Sequence, residues 1–298
     1  MNSKGIGAIL TLAALWGASF IFIRVAAPSI GPLTTIQLRV AIASLALIFF
    51  IKLSHRTVQW RKWWKHYLIL GALNAALPFT FIATAELYLN ASMSSILNAL
   101  TPLFTVFVAW GGLKEKVTLK KWAGVLIGII GVFILVGWSP LPLTPMVYFA
   151  VTLSLLSTIS YAIAGVYAKK VFTNVSPLSL AAGQQIGATL VLLPFTLVML
   201  PHQTTHYSLS VILSVLGLSL FCTAIAYLLY FYLIESVGPT KTLTVTFLIP
   251  FFGMIWDVSF LHERVTIGMS IGLIVILGSI FCITDISLFS KHRAAKKG

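Results

Sequence analysis

Along most of this chain the apolar residues are not periodic but continuous. Stretches of about twenty residues are apolar almost throughout, and short polar or basic segments separate them. A helix rising 1.5 Å per residue needs roughly twenty such residues to cross a hydrocarbon core of about 30 Å, so each stretch predicts a membrane span. Ten are read, at approximately 5–26, 33–53, 66–87, 91–113, 119–137, 146–168, 178–200, 208–233, 241–261 and 265–287. The first holds Trp16 and Arg24 and lacks a small-residue cleavage pattern, so it reads as a permanent helix rather than a signal peptide.

Composition agrees with this reading. Hydrophobic residues make up 59% of the 298 and charged residues 9%, and the mean hydropathy is +1.01. Soluble domains carry roughly a quarter charged residues, so the chain is expected to be an all-α integral membrane protein. Its twelve prolines and twenty-one glycines are tolerable in lipid where neighbouring helices satisfy the freed backbone groups. Cys222 and Cys282 sit inside apolar runs and read as small buried residues.

The basic residues orient the spans. With a cytoplasmic N-terminus, the inner side receives Lys4, Lys52, Arg56, Arg61, Lys62, Lys65, Lys114, Lys116, Lys120, Lys121, Lys169, Lys170, Lys241, Lys291, Arg293, Lys296 and Lys297, whereas the outer loops receive only Arg264. This bias predicts both termini in the cytoplasm. The net charge of +14 is then a topology signal and an attraction to the anionic lipid bilayer, and no nucleic-acid partner is expected. Indoles beside cations in Trp60-Arg61-Lys62-Trp63-Trp64-Lys65 fit a membrane interface.

The sequence is also written twice. Pro102 through Glu115-Lys116-Val117-Thr118 returns as Pro250 through Glu263-Arg264-Val265-Thr266 with the same interval, and Trp16-Gly17-Ala18-Ser19 leading to Arg24 is echoed by Tyr161-Ala162-Ile163-Ala164 leading to Lys169. The predicted units are 1–140 and 141–298. Each holds five spans, and an odd number inserts the second unit the opposite way. Ten transmembrane helices in two inverted five-helix repeats are therefore expected, an arrangement suited to alternating access around a shared midplane site.

Trp16-Gly17-x-Ser19-Phe20, Arg39 in the second span, and the Pro102…Glu115-Lys116 and Pro250…Glu263-Arg264 endings with their following glycine-rich helices together resemble the drug/metabolite transporter superfamily, in its EamA-like branch. The resemblance covers nearly the whole chain. It implies a secondary transporter of the inner or plasma membrane, commonly an exporter of amino acids or related metabolites. Tyr161-Ala162 stands where the first half has Trp16-Gly17, a departure between the two half-sites.

A midplane site should be lined by polar and aromatic residues near helix breaks. The substrate-binding candidates are Trp16, Ser19, Phe20, Asn74, Asn98, Thr101, Tyr161, Tyr227, Tyr230 and Thr246, with Thr80, Ser157 and Ser160 beside them; Pro78, Pro102 and Pro250 are the expected helix breaks. A proline cannot donate to the carbonyl four residues earlier, which singles out Asn98 and Thr246 as places where the backbone is expected to meet a ligand. Polar residues in spans also serve as interhelical glue, the competing reading for each.

Arg24, Arg39, Glu86 and Asp257 fall in the outer halves of their spans, and intramembrane charges are functional candidates. They are expected to form a gating or ion-coupling network by pairing with one another. Snorkelling to the interface is the alternative for Arg24 and Glu86. Asp257 is the candidate proton carrier should transport be proton-coupled. The Glu115-Lys116 and Glu263-Arg264 endings read instead as orientation and helix-end features. Gly124 with Gly128, and Gly268 with Gly272, form small-residue faces expected to pack within a monomer rather than a dimer.

Enzymatic chemistry is not expected. His262-Glu263 opens like a zinc-protease motif, but position 266 is Thr where a histidine is required, so no metal site is expected. His55, His66, His202, His206 and His292 fall in loops or at helix ends, so no intramembrane hydrolase is expected, and no phosphate-cradling Gly-x-x-x-x-Gly-Lys loop occurs, so ATP-driven transport by this chain alone is not expected; no cofactor is expected. The partner expected is a small-molecule substrate. The rival reading is a non-transporting membrane scaffold or a lipid translocator, which a sealed bundle without a central polar cavity would favour.

Overall fold

The computed structural model describes residues 3–113, 117–139, 141–142, 144–173, 175–199, 207–242 and 244–283. Glu115-Lys116, Lys114, His202, His206 and the basic residues from Lys291 onwards, all invoked above, lie outside the described residues. Every regular element described is helical: α1 (Ser3–Ile30), α2 (Pro32–Leu53), α3 (Trp60–Gly71), α4 (Leu77–Ala85), α5 (Ala91–Asn98), α6 (Thr101–Leu113), α7 (Leu119–Gly137), α8 (Pro145–Val171), α9 (Pro177–Val198), α10 (Leu209–Leu216), α11 (Ala226–Val237), α12 (Pro239–Thr242), α13 (Val245–Trp256) and α14 (Ile267–Ile283). Three π-helical pieces, Ala72–Ala76, Gly217–Ile225 and Asp257–Leu261, join or extend them.

Among the described residues, eight helical stretches are long and apolar enough to cross a membrane, including Trp60–Ala85, which fuses α3, the first π piece and α4, and Leu209–Val237, which fuses α10, the second and α11. Two shorter apolar helices, Val245–Leu261 and Ile267–Cys282, occupy the places of the ninth and tenth expected spans. Large apolar side chains cover the outside of the bundle: Leu45 is 68% exposed, Phe133 74% and Ile274 69%. Such a surface is stable only against lipid.

Capping chemistry sets the helix starts. Thr118, Thr144, Ser176 and Ser208 each accept a backbone N–H of the first turn, starting α7, α8, α9 and α10. Gly31 and Gly238 adopt φ of 83° and 87°, a region open to glycine, and each precedes a proline that begins the next helix.

Helices approach most closely where glycine removes a side chain. On α7 and α14, Gly131 lies against Ile276, Gly268 against Trp138 and Gly272 against Leu135, so these glycine faces are used inside the chain. Gly71 and Gly187 do the same for α3 and α9. Gly17, from the Trp16-Gly17 motif, brings α1 onto α13: a Cβ there would stand 2.9 Å from the Gly253 backbone nitrogen.

Candidate functional site

A cavity of about 410 Å³ is lined by residues from both halves of the chain. That volume lies within the usual range of small-molecule sites, roughly 300–1,000 Å³. From the first half, α1 contributes Trp16, Ser19 and Phe20, α2 Arg39, the first π piece Asn74, and the α5–α6 break Asn98, Thr101 and Pro102. From the second half come Tyr161 on α8, Tyr227 and Tyr230 on α11, and Thr246 and Pro250 on α13. All ten residues singled out as substrate-binding candidates therefore border one space. Ser95, Thr105, Thr242 and Cys222 also line it; they had no distinguishing signal in the sequence beyond being small and polar inside a span.

Aromatic rings form much of the wall. Trp16 packs edge-on to Tyr227 with centroids 6.5 Å apart and tilts onto Tyr230 at 5.5 Å, while Tyr161 meets Phe79 at 6.3 Å. Asn74 Nδ2 donates to Gln184 Oε1 at 2.8 Å, tying the first half to the second beside the cavity.

The break at Pro102 does not leave the acceptor expected of it, and Pro250, expected to break a helix, stands inside the continuous α13. The Asn98 carbonyl, deprived of a donor by Pro102, accepts from the Thr101 hydroxyl at 2.8 Å. The group at this break with no hydrogen-bond partner among the described residues is instead the Asn98 side-chain Oδ1. Pro78 follows a π piece in which the Leu77 N–H reaches back five residues to Ala72. In that register the missing proline donor strands the Leu73 carbonyl, and Ser160 Oγ supplies it at 2.6 Å. Ser160 is thus interhelical glue, Ser157 donates to the Ser154 carbonyl, and neither they, Thr80 nor Pro78 lines the cavity.

The four outer charges do not pair with one another within 4.0 Å. Arg24 Nε instead lies 3.6 Å from Glu263 Oε1, the one ion pair among the described residues, and its Nη1 donates to the Glu86 backbone carbonyl. Glu263, read as a helix-end feature, is therefore the partner of Arg24, read as a member of the gating network. Asp257 Oδ2 accepts from both the backbone N–H and the hydroxyl of Ser92, in the first turn of α5, so a carboxylate from the second half satisfies a helix N-terminus of the first. Glu86 is fully buried and neither carboxylate oxygen has a donor among the described residues. Together these contacts tie α1, α4, α5 and the end of α13 at one end of the bundle.

Arg39 behaves differently from the other three. It reaches the cavity, its guanidinium carbon stands 3.7 Å from the centre of the Phe79 ring, and its Nε donates to Thr223 Oγ1 at 3.0 Å. Thr223 in turn donates to the Leu218 carbonyl five residues earlier, at 2.8 Å, within the second π piece. The wide turn thereby fixes which lone pair of the hydroxyl faces Arg39.

Among the described residues no group of three or more His, Cys, Asp or Glu side chains is placed to hold a metal ion. Comparison with known proteins gives a consistent answer. The model of the EamA-like transporter family matches the chain twice, over residues 3–137 and 148–285. The chain belongs to the EamA-like transporter family. Among its relatives, the transporter YoaV of Bacillus subtilis is 22% identical over 275 residues, covering 92% of this chain and 94% of that one. The inner membrane transporter YedA of Escherichia coli is 27% identical over 248 residues, covering 82% and 78%. A crystal structure with 17% sequence identity superposes with a TM-score of 0.66 over 95% of this chain and 97% of its own, which establishes a shared fold. This is a multi-pass membrane transporter of the EamA family.

Proposed function

We propose that the chain is a secondary active transporter of the inner membrane that works by alternating access and exports amino acids or related small metabolites, with both termini in the cytoplasm. The observation that carries this reading is the cavity itself: it draws its lining from both halves and has a volume suited to a metabolite of that size. The double match of the family model supports two five-span units, and the basic bias of the loops supports their opposite insertion. YedA is described as an inner membrane protein, which supports that location here.

In this reading the contacts among Arg24, Glu263, Glu86, Ser92 and Asp257 close the outer end, while Thr105, Gly165 and Thr242 continue the cavity towards the inner ends of their helices. Opening the outer end requires those contacts to separate, and a cargo shifts the balance only through its different affinity for the two states. Asp257 is the candidate for proton coupling, because separation from Ser92 would leave its carboxylate buried without a donor.

Alternating access is tested by placing a single cysteine at Thr105 in a background of Cys222→Ser and Cys282→Ser, and adding membrane-impermeant thiol reagents from either side. Labelling from both sides, with the ratio changed by substrate, is the expected result. A cavity reached from one side only, under all conditions, would fit a scaffold instead. For proton coupling, Asp257→Asn is compared with wild type under an imposed pH gradient; unchanged coupling would remove Asp257 from that role.

A further inference from the structure

Arg39 is a buried cation without a counter-ion. It is 4% exposed, and no carboxylate lies within 4.0 Å of it among the described residues. A guanidinium carries five N–H donors. Here Nε alone is engaged by the chain, through Thr223, so the Nη1 and Nη2 edge makes no hydrogen bond among the described residues. The Phe79 face and the Thr223 hydroxyl hold the plane of the group while leaving that edge unmatched.

An unpaired cation in a low-dielectric site is costly to keep. Among the described residues that line the cavity there is no Asp or Glu to offset it, and Arg39 carries the one formal charge. The remaining wall is neutral, with the rings of Trp16, Phe20, Tyr161, Tyr227 and Tyr230 interspersed with amide and hydroxyl groups such as those of Asn74 and Asn98. A fork of parallel N–H groups is the geometry that takes a carboxylate through two hydrogen bonds.

We propose that the cavity is a receptor for organic acids, with the Nη edge of Arg39 binding the carboxylate of the cargo and the Trp16 and tyrosine walls taking its apolar body. The proposal rests on the cavity being where cargo binds. It names the anionic end as the recognised feature and disfavours organic cations, for which the lining provides aromatic faces but no carboxylate. Thr223 acts as a positioning residue, since it touches the guanidinium and not the ligand.

The test uses the full-length protein in lipid nanodiscs and equilibrium binding by calorimetry. The probes are matched pairs in which the carboxylate is replaced by its neutral or cationic amide: phenylacetate with phenylacetamide, N-acetylleucine with N-acetylleucinamide, and leucine with leucinamide. In the wild type the acid of a pair is expected to bind about ten- to a hundredfold more tightly than its amide, the worth of hydrogen bonds to a charged group. Arg39→Gln should erase the difference within a pair, Arg39→Lys should retain part of it because the charge remains without the fork, and Thr223→Val should narrow it while leaving the charge in place. The wild-type comparison stands even if Arg39→Gln does not fold. Amides that bind as well as their acids, acids that all fail to bind, or a preference for acids that survives in folded Arg39→Gln would each overturn the proposal. Flux in liposomes is measured separately. Arg39-dependent acid binding without flux of any probe would uphold the receptor and refute transport, whereas flux of amides alone would uphold transport and refute the receptor.

Discussion

The Arg24–Glu263 pair is the sharpest quantitative target, because its two residues come from different halves and the contact has a defined geometry. At 3.6 Å, two full charges in an effective dielectric of about 20 attract by roughly 4–5 kcal/mol, an upper limit. The side chains are 30% and 26% exposed, and ion pairs open to water are typically worth about 0.2–1 kcal/mol. A coupling energy of about 1–2 kcal/mol is therefore expected. It is obtained from a double-mutant cycle of Arg24→Gln and Glu263→Gln, each measured by reversible unfolding of the purified protein in mixed micelles. The two single variants should not be equal. Arg24→Gln also removes the donor to the Glu86 carbonyl, so it should cost about 1 kcal/mol more than Glu263→Gln, while added salt weakens the cycle and not this second contribution. A coupling energy below about 0.3 kcal/mol, or a larger loss in Glu263→Gln than in Arg24→Gln, would refute the reasoning.

Three further outcomes follow from the same geometry. Gly17→Ala is expected to destabilise by about 1–2 kcal/mol, an overpacking cost offset in part by helix propensity; Gly7→Ala, with no atom within 4 Å of the added methyl, should be neutral or slightly stabilising in the same thermal melts. Asp257→Ala should lose about 2–3 kcal/mol because it strands two donors of Ser92, whereas Glu86→Gln should lose nothing, since both carboxylate oxygens lack donors among the described residues; equal losses in the two variants would contradict this. Burial, and secondarily Asp257, hold the Glu263 carboxyl above its ordinary value of 4.5, with Arg24 opposing them. A carboxyl raised in the folded state contributes stability that is complete below its unfolded value and is lost as the pH rises through the folded one. Wild type should therefore lose stability relative to Glu263→Gln as the pH is raised above 4.5, and a gain would reverse the assignment.

Most of the cavity could be read from the chain because polar and aromatic residues in mid-span have few reasons to be there. Trp16, Asn98, Tyr161 and Tyr227 announce themselves against an apolar background. The outer contacts were much less legible. Arg24 and Glu263 lie far apart in sequence, and a charge at the end of a span looks the same whether it meets lipid headgroups or a partner. The π pieces were invisible as well, since their signature is a hydrogen-bond register and not a residue pattern. That register decides that Ser160 serves the Leu73 carbonyl and that Thr223 faces Arg39. Thr101 capping the Asn98 carbonyl is a local choice that a proline rule cannot anticipate.

The measurement that bears most directly on the central claim is counterflow in proteoliposomes. Vesicles containing the purified chain are loaded with one unlabelled amino acid or metabolite at a time, and the uptake of its labelled form is followed. Transient accumulation of label for a subset of compounds, absent from empty vesicles and reduced by narrowing the cavity with Gly165→Leu, is the result expected of a secondary transporter using this site. Folded protein that gives no counterflow across a broad panel, or flux that is unaffected when the cavity is narrowed, would contradict it.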